Sequence, residues 1–231
     1  MKTLKLSLKK LIKVRRKEHH PLIHKLHKKH RISKKTLFYV KEYGQHSNVP
    51  RTIIKESIKI LLLTSIISSF GGLALEHIKT AFLSMVPLLI LLPTLNDMIG
   101  DYGTIISSKF STMLHEGKIH KNIFRNKEVR YLFHQIMLIA VITSIFSYFL
   151  ALVISYFMSY NLDYSIAIKI FLLVMLDVVL LIIILFFIAL AAGLYFYKKN
   201  EDPNNFLIPI TTSIADLGNM ILLTVLFRLF F

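Results

Sequence analysis

Residues 208–227, IPITTSIADLGNMILLTVLF, decide how the whole chain is read. As a helix this stretch is almost wholly apolar, and at about 1.5 Å rise per residue it can cross the ~30 Å hydrocarbon layer of a bilayer. Yet Asp216 stands near its middle. A carboxylate at the centre of a membrane helix costs about 2.5–3.5 kcal/mol on insertion scales, so one that is present faces a partner or a watery path. Along the same helix Asn205, Pro209, Thr212, Asp216 and Asn219 recur at spacings of four, three, four and three, forming one polar stripe on an apolar cylinder. Oxygen ligands of this kind suit hard cations, and Mg2+ is characteristically held by one or two carboxylates while keeping much of its water. Asp202 followed by Pro203 reads as an N-cap with proline at the first helical position, which is compatible with a place at the mouth of an ion path.

The rest of the chain fits a membrane setting. Of 231 residues 54% are hydrophobic, the mean hydropathy is +0.57, and the apolar residues fall in long runs. That is an all-α integral membrane protein rather than a soluble domain. Five spans are expected, at about 58–75, 82–110, 131–157, 166–197 and 206–230, the fourth overlong and the second broken. The loop HEGKIHKNIFRNKEVR after the second span and YKKN after the fourth are basic, whereas EHIKT and SYNLDYS carry few cations. By the positive-inside rule the N-terminus is cytoplasmic and the C-terminus outside, with the cell membrane as the expected location. There is no cysteine, so neither a disulfide framework nor a thiolate metal site is available.

Two regions divide the charge. Residues 1–56 hold 17 of the 29 Lys and Arg against 3 of the 13 acidic residues, so +14 of the net +16 lies there, and residues 57–231 form the transmembrane region. In the arm Leu4, Leu6, Leu8, Leu11, Ile12 and Val14 alternate with cations, as in an amphipathic helix lying on anionic lipid headgroups. Pro21 breaks or restarts that helix, and Pro50 ends the arm. His20, His24 and His27 share a helical face, but Lys25, Lys28 and Lys29 among them disfavour a metal cluster. The arm lacks a folded reader and interleaved aromatics, so specific nucleic-acid binding is not expected.

The second span contains LPTLNDMIGDYGTIISSKFST. Pro93, Gly100 and Gly103 weaken a helix, and Asn96, Asp97, Asp101, Thr104, Ser107 and Ser108 stand beside them. A break at membrane depth is tolerated where it lines a cavity. Asp97 and Asp101 share one face; Asn96, Gly100 and Gly103 share another. Asp177, in FLLVMLDVVLL, has no polar company in its own span and reads either as a partner of another helix or as a separate protonatable group.

Two of these segments together carry a family resemblance. DPNNFLIPITTSIADLGNM resembles the last helix of the MgtE-type magnesium transporters and their animal solute-carrier relatives, which have a DPxNxxxPxxxSxxD-like pattern. PLLILLPTLNDMIGDYGTIISSKFSTMLHEG resembles, more loosely, their proline-bearing second helix with its GN element. The resemblance covers about residues 57–231. It implies divalent cation transport, with Asp216 as the pore aspartate holding hydrated Mg2+, Asp202 at the cytoplasmic mouth, and Asn96, Asp101 and Thr212 as neighbours. Asp101 falls where the family commonly has the asparagine of its GN element, so the chain adds a charge there. Bacterial members carry an acidic regulatory region with paired nucleotide-binding-type modules; the basic arm stands in its place, so that gating is expected to be absent. Animal relatives join two five-helix units in one chain, so a single unit implies a homodimer with the second and fifth spans around a two-fold axis. Two other functions compete: a metal-dependent enzyme acting on lipid phosphates through Asp97 and Asp101, and a membrane anchor for the polybasic arm.

Overall fold

A computed structural model of the chain describes residues 21–31, 37, 49–119, 123–160, 163–199 and 202–231. Among them the regular structure is helical throughout: α1 (Pro21–His30), α2 (Val49–Glu76), α3 (Lys79–Leu83), α4 (Val86–His115), a 3-10 turn (Ile123–Arg125), α5 (Lys127–Phe157), α6 (Tyr164–Lys198) and α7 (Pro203–Phe230). The apolar alternation of Leu4 to Val14, and His20, lie outside the described residues. Pro21 opens α1 and Pro50 falls in the first turn of α2, where the missing N–H costs nothing. The helix α2 therefore runs unbroken through the change from polar to apolar composition near residue 56.

Four helices, α2 from Ser57, α5, α6 and α7, are long and apolar enough to cross a membrane. The second expected span differs from the expectation in two ways. Phe82 and Leu83 belong to the short α3, and α4 starts afresh at Val86 with proline in its first turn. More important, α4 is one continuous helix of 30 residues with Pro93 inside it, so the expected break is not there. A glycine inside a helix costs only about 1 kcal/mol relative to alanine, too little to interrupt a helix packed along its length. With Asn96, Asp97, Asp101 and Lys109 on it, α4 has the length of a span but a more polar composition than the other four.

Local chemistry marks the helix ends. Gly117, with φ of 70°, closes α4: its N–H donates to Leu114 O and that of Lys118 to Met113 O, the paired bonds of a Schellman turn. The Asn126 side chain caps α5 by accepting from the Glu128 N–H, and its amide donates to Lys118 O, tying the start of α5 to the residue after the α4 cap. Asp202 caps α7 by accepting from the Asn204 N–H at 3.0 Å, as the Asp-Pro pair predicts.

The central element is α7, which packs against α2, α4 and α6; α4 in turn packs against α5 and α6. Leu91, Leu95, Ile99, Ile106 and Phe110 of α4 meet Leu173, Val178, Leu181 and Leu185 of α6 in the interior. The outer surface is apolar as well: Leu62 and Phe70 of α2, Phe146 and Phe149 of α5, and Leu172, Leu176 and Leu180 of α6 are exposed, which is the pattern of a surface solvated by lipid chains. Small residues let the backbones approach. A Cβ on Gly103 would stand 3.1 Å from Thr211 Cβ, and one on Gly218 would stand 2.7 Å from Leu181 Cδ2. Gly71 of α2 lies similarly against Leu217 and Met220.

Candidate functional site

Asp216 lies midway along α7 and is partly buried. Two neighbouring helices answer its charge. Asn96 Nδ2 of α4 donates to Asp216 Oδ1 at 2.8 Å, and Ser68 Oγ of α2 donates to Oδ2 at 3.1 Å. A hydrogen bond to an ionised group contributes about 1.5–3 kcal/mol, so two of them offset the insertion cost of one carboxylate. Each oxygen retains a further lone pair, and Asp216 remains open on one side.

Behind this carboxylate stand two amides. Asn219, on the next turn of α7, is fully buried, with its side-chain amide 3.1 Å from Asn96 Oδ1 and 2.9 Å from Asp177 Oδ2. One turn towards the start of α7, Thr211 is fully buried, with Oγ1 at 3.0 Å from Ser107 Oγ of α4. Thr212 is only partly buried, and its hydroxyl donates back to Ile208 O and Pro209 O of its own helix. At this level α4 and α7 therefore meet through Thr211, adjacent to the stripe, rather than through Thr212.

The polar residues of α4 separate as their spacing predicts. Asn96 turns inward to α7, while Asp97 and Asp101 share an exposed face with Ile105 and Lys109. Asp202 sits at the start of α7, with Oδ1 at 3.8 Å from His115 Nε2 at the end of α4; Asn205, partly buried, lies on the first turn beyond it. So the seven candidate residues do not form one cluster. Asp216, Asn96 and Asn219 are joined directly, Asp202 and Asn205 lie at the end of α7, Thr212 lies between, and Asp101 faces outward from α4.

Ser68 was not among the candidates. The only trace of it is the run TSIISSFGG in the first span, where Ser65, Ser68 and Ser69 precede two glycines. Nothing in that run distinguishes a helix-contact serine from a partner of Asp216.

Residues 92–226, more than half of the chain, match the family described as MgtE, divalent cation transporter. The chain belongs to the MgtE family. Its match takes in α4 from Leu92, all of α5 and α6, and α7 as far as Leu226, and so includes Asp216, Asn96, Asn219 and Asp101. Ser68 comes from outside it. No curated protein and no solved structure matches the chain significantly. Membership in the MgtE family sets the class of activity as transport of divalent cations, in an integral membrane protein.

Proposed function

We propose that the chain moves Mg2+ across the membrane along a path lined by α4 and α7 of two copies, with Asp216 as the central site. The observation that carries the reading is the Asp216 carboxylate at mid-helix, held by donors from two other helices and open on one side. Placed near a two-fold axis, one such residue becomes two carboxylates, the number Mg2+ commonly takes while it keeps its waters. The exposed Asp97 and Asp101 on α4 support the same reading: in a lipid-embedded chain that face needs water or a second copy. The added charge of Asp101 draws cations towards the path. Asp202 and Asn205 mark its cytoplasmic mouth, Thr212 lines the approach, and Asn219 supports Asn96 from behind.

In this reading α4 is the fifth span, shielded from lipid by its neighbours and the second copy. The N-terminus lies in the cytoplasm and the C-terminus outside, following the basic loops, and the arm rests on anionic headgroups.

Uptake of Mg2+ into proteoliposomes tests the assignment. Asp216→Ala is expected to reduce saturable uptake to background while the protein still assembles; wild-type uptake by that variant rejects it. The absence of cysteine makes the dimer testable with single introduced thiols. Ile105→Cys, on the exposed face of α4, is expected to cross-link between copies in membranes, whereas Phe146→Cys on α5 is not.

A further inference from the structure

Two helices flank α7 on either side of its polar stripe. The helix α4 meets it through Thr211 and Asn219, and α2 meets it through Leu217, Met220 and Thr224, whose hydroxyl donates to Ala74 O at 3.1 Å. Thr212 and Asp216 fall between these two lines of contact and are partly buried. Among the described residues α2 and α4 barely touch each other. The stripe is therefore the floor of a groove with α2 and α4 as its walls, and Ser68 and Asn96 are the points at which the walls reach Asp216.

Gly100 stands on the α4 wall, one turn from Asn96. Asn96 meets Asp216 and Gly103 lies against Thr211, so Gly100, between them, is level with the stretch from Asp216 to Thr212. A Cβ on Gly100 would meet no described atom within 4 Å, whereas one on Gly103 would stand 3.1 Å from Thr211 Cβ. The interior side of α4 is filled by Leu95, Ile99 and Ile106, all fully buried. The space beside Gly100 therefore lies on the groove side, where Thr104 and Asp97 follow at helical spacing.

Neither usual reason for a helical glycine applies at this position. Among the described residues Gly117 is the only glycine with a positive φ, so the backbone of Gly100 suits any residue. No neighbour would have to move for a methyl group, and alanine is the better helix former. What glycine supplies here is width. The hydroxyls nearby leave that width clear: Thr104 donates back to Gly100 O at 3.2 Å and Thr212 to Ile208 O at 2.9 Å. Both hydrogens are thus spent on the helices that carry them, and acceptor lone pairs are what these groups still offer. Mg2+ gives up water reluctantly, so a cation beside Asp216 needs room for bound waters and acceptors for their hydrogens.

We propose that Gly100 sets the width of the groove beside Asp216 and so determines whether Mg2+ enters with its water shell. That role rests on the reading of Asp216 as the ion site. It is a specificity role exerted through space, since Gly100 has no side chain with which to hold the ion. The rival role is contact between copies, in which case a methyl group at this position weakens their pairing.

The test measures half-saturation for Mg2+ in proteoliposomes for Gly100→Ala and Gly100→Val, together with the thermal midpoint of each purified variant and the cross-linking of Ile105→Cys in the Gly100→Ala background. Alanine is expected to raise half-saturation about fivefold, the equivalent of one net hydrogen bond to a displaced water, and valine to raise it further. The thermal midpoint of Gly100→Ala should be no lower than that of wild type, and cross-linking should match that of Ile105→Cys alone. With no other thiol in the chain, Gly100→Cys reads access directly: a cationic methanethiosulfonate added in water should label it, and Mg2+ should slow the labelling. Wild-type half-saturation in Gly100→Ala, a lower thermal midpoint, lost cross-linking, or a thiol that water-borne reagent does not reach or Mg2+ does not protect overturns the inference. Should the valine variant fail to fold, Gly100→Ala decides alone. Asp216→Ala is measured alongside. If wild type shows no saturable uptake, or Asp216→Ala retains it, the transport reading falls and the role of Gly100 with it; with that control intact, the Gly100 results bear on the groove width alone.

Discussion

Asp216 and Asp177 are both carboxyls set midway along strongly apolar helices, yet their surroundings are opposite. Asp216 has hydroxyl and amide donors from α2 and α4 and an open side. Asp177 is sealed, with one oxygen unpartnered and the other against a single amide. The same residue type, at comparable insertion cost, is left reachable in one place and enclosed against a side chain in the other. What separates them is access, and access is decided by the neighbouring helices rather than by the helix that carries the residue.

That contrast can be broken in graded steps. The largest effect belongs to Asp216→Ala, expected to remove saturable Mg2+ uptake altogether. Asn96→Leu, which takes away the shorter of the two bonds to Asp216, is expected to raise half-saturation about tenfold, from the ~1.5 kcal/mol or more of a bond to an ionised group. The smallest effect is expected from Ser68→Ala, about threefold in half-saturation, since its bond is longer and the Asp216 oxygen it releases can turn to water. An equal effect from Ser68 and Asn96 would remove the special standing given to the α4 side.

The sequence discloses Asp216 more readily than Asp177 for a physical reason. The stripe from Asn205 to Asn219 is written at helical spacing in one segment, and α7 is helical throughout it. The division of α4 into a face with Asp97 and Asp101 and another with Asn96 was readable in the same way, but not that Asn96 turns inward while Asp97 and Asp101 are exposed. Asp177 has no such signal, because Asn219 lies 42 residues further on and joins it only through the α6–α7 packing. Ser68 is hidden likewise: its partner is 148 residues away. The expected break in α4 failed because local propensity was weighed without packing. Continuous contact with α5, α6 and α7 outweighs the roughly 3 kcal/mol cost of an interior Pro93 and the smaller cost of two glycines, and the helix runs through all three.

Three of the glycine contacts of α7, with Gly71 and Gly103 on its neighbours and Gly218 on α7 itself, fall within about two turns of Asp216. Serine, asparagine and aspartate are short side chains and extend little beyond the backbone. For Ser68 and Asn96 to touch Asp216 from two sides, the helix axes must lie near the lower end of the ~8–10 Å range of helix packing. The glycines act as a gauge that sets this separation. Widening it by the thickness of one methyl group would put both donors out of range at once, while the aromatic surface of α5 would register no change. The reach of the polar residues is therefore determined at positions that have no side chain.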